Sequence, residues 1–364
     1  MMKLRVLVLC LILFLCGCVK KDQSQINELQ FATWGSASEM AILKPIIQEF
    51  EQENKNVKIK VLHIPQNYFQ KIHLLFASNL APDVIFINNL NLPVYANYLK
   101  PLSVDKSCYH NQALQSLSYN GVLYAVPRDI SNLVIYYNKD LFDKYGVAYP
   151  KSDWSIDYML GIAKKLTNDK VYGLSYEEDL YYLMPYILTF GETIFPVENV
   201  KNLKSVSFYK GLVCQYHVAP SKADVGSKTI AQMFLEQKIA MHLSGRWLVP
   251  KYRESANFRW GVINFPGVVP CDASGWAISK STKNEHLAKK FVEYLSSKEN
   301  ISKMTMSGLI IPARKDINPS ILGDSVEIQQ VFINAIYKSL PQKITPSYNK
   351  IVDNLNDSIF LNNR

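Results

Sequence analysis

Strand and helix patterns alternate along the first quarter of the chain, and this alternation limits the possible folds more than any other feature. Residues 29–33 have the pattern of a strand, and apolar residues spaced three and four apart at 43–50 predict a helix. Two more strands are predicted at 57–61 and 83–87, with a helix at 68–77 between them. The strand at 83–87 is a nearly continuous apolar run, as is typical of a strand buried on both faces of a parallel sheet. Strands joined by helices in this order predict βαβ units and an α/β fold.

The same alternation continues through the rest of the chain. Pro45 lies inside the first predicted helix and predicts that this helix starts late or kinks. At roughly 150 residues per domain, 364 residues favour two domains. With 48% hydrophobic and 20% charged residues, the composition excludes a mainly disordered protein, a fibre or a coiled coil. Further strands are predicted at 134–137, 171–175, 239–243 and 276–279.

The first eighteen residues have the features of an export signal. Residues 1–5 are short and positively charged, and residues 6–15 form an unbroken apolar run. This run is too short for a membrane span, which needs about 20 apolar residues. A buried N-terminal helix or strand is the alternative. The run ends in Leu15-Cys16-Gly17-Cys18, which resembles a bacterial lipobox, in which the cysteine is lipidated and becomes the mature N-terminus.

The lipobox resemblance implies a signal peptide at 1–17, a lipidated Cys18 and a tether over 18–27. Several acyl chains on Cys18 would anchor the protein durably, since one chain alone gives only marginal binding. No later segment is apolar enough to span a bilayer. We therefore expect an exported, membrane-anchored lipoprotein whose body faces the periplasm or the outer cell surface.

Charge and cysteine content argue against several classes of protein. The excess of 40 Lys and Arg over 31 Asp and Glu is modest and spread along the chain, so no nucleic-acid partner is expected. There is no CxxC pair outside the leader, which excludes zinc ribbons and redox motifs. Beyond the leader, Cys108, Cys214 and Cys271 allow at most one disulfide, and whether they form one stays open.

Catalytic and metal-binding motifs are missing from the sequence. It has no phosphate-binding GxxxxGK[ST] loop, no GxGxxG, no HExxH and no GxSxG. The six histidines are never three or four residues apart, so no local metal pair exists. We expect neither a metal nor a cofactor. A pair of glycosidase carboxylates remains possible on composition alone.

Large aromatic residues are frequent at predicted turns and strand ends. Aromatic faces stack on the apolar faces of sugar rings, although most large aromatic residues serve packing. Trp34 and Trp276 are the stronger candidates, because each stands at a predicted strand end beside small residues, where open α/β sheets bind ligands. The others are Tyr68, Tyr95 and Trp247.

Five segments of the chain, taken in order, form the most specific pattern in the sequence. They are FATWGSASEM at 31–40, LAPDVIFINN at 80–89, NGVLYAVPRDISNLVIYYNKDLFDKYGV at 120–147, FLEQKIAMHLSGRW at 234–247 and SGWAISKSTKNEHLAKKFVEYLSS at 274–297. Together they resemble the family 1 extracellular solute-binding proteins of ABC importers, the group that includes maltodextrin and glycerol-phosphate receptors. Gln237 and Ser274 depart from this pattern, since the family usually has glycine at both positions. The resemblance covers the chain from about residue 28 to its C-terminus.

The resemblance implies a type II periplasmic-binding-protein fold, with two α/β lobes joined by crossing hinge strands. Lobe one would comprise 28–131 plus 272–310, and lobe two 132–271 plus 311–364. A solute would bind in the cleft between the lobes, which close by hinge motion. The closed receptor would then be recognised by the ABC permease subunits. The protein would be a monomer and would perform no chemistry.

The resemblance also implies a set of ligand-binding residues. They are Trp34, Ser36, Tyr68 and Asn88 in lobe one, Arg128 and Asp129 near the first crossing, Glu192, Arg246 and Trp247 in lobe two, and Gly275 and Trp276 at the return crossing. Arg128 and Asp129 are equally well explained by a surface ion pair, and Arg246 by a role in stabilising its lobe.

The expected ligand is a sugar or sugar-like solute. A phosphorylated polyol such as glycerol-3-phosphate stays open, because Arg128 and Arg246 could hold a phosphate in a bidentate manner. Two further alternatives are a surface-anchored glycoside hydrolase and a protein of the same fold with another role, such as adhesion or peptide binding.

Overall fold

The computed structural model describes residues 26–195, 197–308 and 310–361. The expected signal peptide, Cys18 and most of the expected tether lie outside these residues. Within the described part of the chain, the strands form two larger sheets and one small hairpin, β4 (Ser118–Tyr119) with β5 (Val122–Leu123).

The first sheet has seven strands and forms the centre of lobe one. Along the sheet the order is β12, β6, β11, β3, β1, β2, and β13 pairs with β11. The β1–β2 and β1–β3 pairs are parallel, whereas β11 is antiparallel to β3 and to β6. The sheet is therefore mixed and not purely parallel. Its strands are β1 (Asn27–Thr33), β2 (Val57–His63), β3 (Val84–Asn88), β6 (Ala125–Ser131), β11 (Val269–Ile278), β12 (Ile311–Pro312) and β13 (Ser339–Pro341).

The second sheet has four strands and forms the centre of lobe two. Its order is β10, β7, β9, β8, with β8 parallel to β9 and the other two pairs antiparallel. Its strands are β7 (Leu133–Asn138), β8 (Tyr172–Leu174), β9 (Ile239–Gly245) and β10 (Trp260–Asn264).

Helices cover both sheets. Those next to the first sheet are α1 (Ala37–Glu53), α2 (Tyr68–Ala77), α3 (Leu92–Tyr95), α4 (Asn111–Ser116), α12 (Glu285–Leu295) and α13 (Lys298–Met306). The remaining helices are α5 (Lys139–Lys144), α6 (Ile156–Leu166), α7 (Leu180–Thr189), α8 (Lys204–Cys214), α9 (Lys222–Val225), α10 (Ile230–Leu235), α11 (Val249–Ser255), α14 (Val326–Tyr337) and α15 (Tyr348–Asn356).

The alternative that helix α1 starts late, at Pro45, is wrong. The helix begins at Ala37 and runs through Pro45 to Glu53, so the proline does not delay it. A capping box fixes this start, because the Ser36 hydroxyl accepts a hydrogen bond from the Glu39 backbone and the Glu39 carboxylate accepts one from the Ser36 backbone.

Along the described residues the chain passes directly from one sheet to the other at two places, where the resemblance implies crossings near 130–134 and 270–274. Asn132 alone separates β6 in the first sheet from β7 in the second. Residues 265–268 connect β10 in the second sheet to β11 in the first. Residues 311 and 312, which were expected in lobe two, form β12 and pair with β6 of the first sheet. The short strand gave no signal in the sequence, and the division into lobes stays a prediction.

Apolar packing explains why both lobes are ordered. In lobe one, Phe31, Phe50 and Phe291 contact one another between the first sheet and its helices, with ring centroids 5.0–5.3 Å apart. In lobe two, successive residues of β7 face opposite sides: Tyr136 packs against Tyr252 of α11, while Ile135 belongs to a separate apolar cluster on the other face. Each sheet is thus held by apolar packing, and loops extend from the ends of its strands.

Candidate functional site

A buried polar cluster lies where β6 and β11 pair beside the first crossing. Arg128 Nε donates a 2.5 Å hydrogen bond to Asp129 Oδ2, and Ser274 Oγ donates one of 2.7 Å to Asp129 Oδ1. A second carboxylate, that of Glu39 in α1, lies 3.7 Å from the Arg128 guanidinium. Arg128 and Asp129 are each 8% exposed, so they do not form a surface ion pair. The cluster brings together the two residues predicted at this crossing.

Aromatic rings hold the Arg128 guanidinium in place. It lies over the Phe86 ring at 5.1 Å and over the Trp276 ring at 5.4 Å, distances at which a cation is attracted to a ring face. Two carboxylates and two rings therefore surround the positive charge, which leaves it compensated within the protein.

Trp34 stands at the edge of this cluster. It follows β1 directly, and its side chain is 45% exposed. Its ring lies 5.5 Å from that of Phe86 and lines a crevice with Glu39, Arg128 and Met304. An indole that is packed on one side and open on the other can stack on a ligand.

Trp247 occupies the equivalent place in lobe two. It follows β9, and its side chain is 39% exposed. A Cβ atom on Gly245 would come within 1.9 Å of the Trp247 ring, so only glycine allows the indole to lie against the strand end. On its other side the ring lies 6.4 Å from that of Tyr181. Gly245 and Tyr181 thus fix the orientation of this indole.

The side chains of Tyr181 and Asp272 lie close together beside the return crossing, where they bring the two lobes into proximity. Tyr181 belongs to α7 in lobe two, and Asp272 belongs to β11, opposite Ser131 in the first sheet. Burial is the largest influence on the Asp272 carboxyl and raises its pKa above the ordinary value, against the lowering effect of the nearby Tyr181 and Asn89 side chains.

Two predicted residues belong to the core of lobe one. The Trp276 side chain is 0% exposed and lies between Phe31 and Phe86, at centroid distances of 5.3 and 6.1 Å. The prediction that Trp276 offers a face to a ligand is therefore wrong. Gly275 also has a packing role, because a Cβ there would lie 2.2 Å from the Val126 carbonyl oxygen.

Three predicted residues have structural partners that account for them. Ser36 caps α1, as described above. The Glu192 carboxylate accepts hydrogen bonds of 3.0 Å from the backbone of Lys204 and Ser205 and so caps α8. Tyr68 is buried, and its hydroxyl lies 3.1 Å from the Ala32 carbonyl oxygen and 3.0 Å from that of Phe86. These bonds tie strand ends together and leave no side-chain surface for a ligand at Tyr68.

Asn88 lies half-buried at the end of β3, opposite Ser274 in β11. Its side-chain oxygen accepts hydrogen bonds from the Asn91 backbone and side chain, at 3.1 and 2.9 Å. Asn91 in turn contacts Asn349 of α15, 3.0 Å away. Asn88 therefore lies in the same region as Arg128 and Asp129.

Arg246 is a buried residue at the junction of lobe two with the segment that precedes α14. It is 2% exposed, forms an ion pair with Asp324, and lies 5.0 Å above the Phe332 ring. Arg253 pairs with the same carboxylate. Burial removes Arg246 from any ligand surface and supports the alternative that it stabilises its lobe.

Three residues with roles at this site were missed in the sequence. They are Tyr181, Asp272 and Tyr182, whose hydroxyl lies near the Glu177 and Ser244 side chains. Adjacent tyrosines at the start of a helix, after the capping residue Asp179, were the available signal. No sequence signal marked Asp272, because only the pairing of β11 places this residue between the lobes.

Metal ligands, membrane-spanning helices and disulfides were sought in the described residues. Within residues 26–195, 197–308 and 310–361 no group of three His, Cys, Asp or Glu side chains could hold a metal ion. In the same ranges no helix is long and apolar enough to cross a membrane. Cys108, Cys214 and Cys271 are free thiols.

Each lobe thus carries one half-exposed indole: Trp34 beside the compensated polar cluster, and Trp247 beside Tyr181. The family model for bacterial extracellular solute-binding proteins matches residues 45–330. The chain belongs to this family. Two relatives of this solute-binding protein come from Bacillus subtilis. The galactooligosaccharide-binding protein is 23% identical and covers 85% of this chain and 80% of its own. The maltodextrin-binding protein is 25% identical, and the match covers 71% of this chain and 67% of that relative.

Solved structures support the fold. An ABC substrate-binding protein from Listeria monocytogenes in complex with cycloalternan has a TM-score of 0.79 and 27% identity, over 92% of each chain. The GacH receptor of Streptomyces glaucescens has a TM-score of 0.78 and 24% identity, over 92% of each chain. The two-lobed type II periplasmic-binding-protein fold is confirmed.

Proposed function

We propose that this solute-binding protein captures an oligosaccharide between its lobes and delivers it to the permease of an ABC importer. The observation that carries the proposal is the pair of half-exposed indoles, Trp34 after β1 and Trp247 after β9. Each follows the carboxyl end of a strand, where ligands of open α/β sheets bind. One indole on each lobe would let a sugar ring hold the lobes together.

Polar groups near the crossing strands suit the hydroxyl groups of a neutral ligand. Asp129 and Asn88 already accept hydrogen bonds within the protein, and their oxygens, like those of Asp272, have further lone pairs for a ligand, while Tyr181 supplies a hydroxyl. Carboxylates and amides form directional hydrogen bonds with sugar hydroxyls, and the apolar ring faces stack on the indoles. This combination favours a carbohydrate over a purely apolar solute.

The ion pairs and the burial of Arg128 and Arg246 argue against a phosphorylated polyol as the ligand. Arg128 is already paired with Asp129 and Glu39, whose negative charges would repel a phosphate. Arg246 is buried and paired with Asp324. Since neither guanidinium is free to clamp a phosphate, glycerol-3-phosphate is the weaker candidate.

The relatives support an oligosaccharide as the ligand class. The galactooligosaccharide-binding relative matches most of this chain, and the Listeria protein was solved with cycloalternan. The relatives are solute-binding proteins and not enzymes, which favours pure capture over hydrolysis. We further propose a monomer that is anchored through lipidated Cys18 on the periplasmic or outer face of the membrane. Its lobes would comprise 28–131 plus 272–310 and 132–271 plus 311–364, except that residues 311 and 312 join the first sheet.

A thermal-shift screen across oligosaccharides tests the ligand class, with glycerol-3-phosphate as the comparison. A ligand that binds only the folded state raises its stability by RT ln(1 + [L]/Kd), about 2.7 kcal/mol at a hundredfold excess over Kd. We expect a galacto- or gluco-oligosaccharide to raise the melting temperature and to be recovered intact. A shift with glycerol-3-phosphate alone would favour the alternative receptor, and cleaved sugar would favour the hydrolase.

A further inference from the structure

Lobe one contains a second cavity that shares no lining residue with the crevice beside Trp34. Its volume is about 700 Å³, which lies within the range of small-molecule sites. Its walls come from residues 101–109 and from α12, and its floor from Val126 of β6 and Ile278 of β11. The cavity is therefore built by rigid elements of the lobe.

The inner surface of this lobe-one cavity is mostly aliphatic. Val126, Ile278 and Val292 are buried at its floor, and Leu102 and Val104 are half-buried in its wall. Such a lining favours a ligand with an apolar body, because burial of each CH₂ group against it is favourable.

The charged groups around the lobe-one cavity are balanced. The Arg314 guanidinium donates to both Asp316 oxygens, at 2.9 and 2.7 Å, and lies over the Tyr109 ring. Four charged residues line the cavity, two of each sign: Asp105, Glu293, Lys289 and Arg314. Because the lining carries no net formal charge, the cavity favours a neutral ligand.

One polar group in the lining has no partner. Ser296 is 3% exposed, and its Oγ forms no hydrogen bond with any described residue, although its carbonyl accepts one of 3.2 Å from Arg314. A buried hydroxyl without a partner is unfavourable, and an acceptor on a bound molecule would satisfy it.

We propose that the lobe-one cavity binds a neutral, mainly aliphatic small molecule whose carbonyl oxygen accepts a hydrogen bond from Ser296 Oγ. The concave shape and the volume fit a small molecule. A protein partner would instead need a broad surface of about 800 Å² on each side. This site does not depend on the proposed capture of an oligosaccharide.

Cys108 allows a direct test, because it lines the cavity and is a free, half-buried thiol. The protein is equilibrated with a hexyl 2-aminoethyl disulfide under excess β-mercaptoethanol. The Cys108 thiolate attacks this disulfide, forms the hexyl adduct and releases the aminoethyl thiol, so there is no net oxidation. Peptide mass spectrometry compares labelling at Cys108 with labelling at the exposed Cys214. A hydroxyethyl disulfide serves as the small, polar reference.

We expect the Cys108-to-Cys214 labelling ratio to be at least about fivefold higher for the hexyl group than for the hydroxyethyl group. Val104→Trp should fill the cavity and remove this excess. Val122→Trp, at an exposed position outside the lining, should retain it. Equal ratios for the two reagents in the unmodified protein would overturn the proposal without recourse to any variant.

The role of Ser296 is tested with hexyl reagents that carry a carbonyl at the third, fourth or fifth carbon. For the best of these, we expect Ser296→Ala to lower the ratio of oxohexyl to hexyl adduct by about two- to tenfold, as for loss of one hydrogen bond. An unchanged ratio would overturn the assignment of Ser296 as the donor. Melting temperatures of all variants verify that they are folded.

Discussion

Ser274 Oγ donates a 2.7 Å hydrogen bond to Oδ1 of Asp129, so that neighbouring residues of β11 and β6 are tied together beside the crossing. The resemblance to the family placed a glycine at position 274. Here the serine holds the Asp129 carboxylate in place, and that carboxylate neutralises the Arg128 guanidinium. A departure from the family pattern thus has a direct structural role.

Replacement of Ser274 by alanine should therefore destabilise the protein. Hydrogen bonds to charged groups contribute about 1.5–3 kcal/mol, and we expect the free energy of unfolding to fall by that amount. Ser339→Ala is the matched control, because that buried hydroxyl bonds a neutral carbonyl at 2.7 Å and should cost only about 0.5–1.5 kcal/mol. Urea denaturation measures both. Equal losses would contradict the charge-assisted bond.

The two half-exposed indoles should govern ligand affinity. Trp34→Ala and Trp247→Ala should each weaken oligosaccharide binding by about 1–3 kcal/mol, by analogy with bases stacked on aromatic rings. Their melting temperatures without ligand should change little. Trp276→Ala, at the core indole, should instead cost about 3–5 kcal/mol of folding stability. Calorimetric titration and thermal denaturation separate the two effects. Normal affinity in both exposed-indole variants would argue against the proposed site.

Trp34 and Trp276 look alike in the sequence, although the structure leaves Trp34 half-exposed and buries Trp276 completely. Each is adjacent to small residues, and the pattern predicted a strand at 276–279. The structure extends this strand back to Val269 and pairs it on both sides, with β3 and β6, so Trp276 lies within a central strand. Local spacing predicts that a strand exists but not its neighbours in the sheet. Burial depends on those neighbours, and so does the position of Asp272.

The Arg246–Asp324 pair should contribute strongly to stability. Both side chains are 2% exposed. Asp324→Ala would leave a buried guanidinium unpaired, and we expect a loss of about 3–5 kcal/mol in the free energy of unfolding. Asp153→Asn is the control, since asparagine tolerates the left-handed backbone of this residue (φ 67°), its partner Lys338 is 3.5 Å away and the aspartate is 87% exposed. That change should have little effect. Equal effects of the two substitutions in urea denaturation would contradict the role assigned to Arg246.

Membrane attachment should depend on Cys18, which lies outside the described residues. The apolar run at 6–15 followed by Leu15-Cys16-Gly17-Cys18 motivates this prediction. Cys18→Ser should move the protein from the membrane fraction to the soluble fraction after cell fractionation. Cys214→Ser, at an exposed thiol in lobe two, should leave the distribution unchanged. Full retention of the Cys18 variant in membranes would place the anchor elsewhere.

Asp272 should make stability depend on pH. Its folded-state pKa is raised, chiefly by burial, so the folded protein holds this proton more tightly than the unfolded chain. The resulting stabilisation is complete below the unfolded pKa, near 3.8, and is lost as the pH rises through the raised folded value. Asp272→Asn keeps an acceptor for Tyr181 and does not ionise. We therefore expect the stability of this variant relative to the unmodified protein to increase as the pH rises from 4 to 7 in urea denaturation. A difference that is independent of pH would show that Asp272 titrates normally.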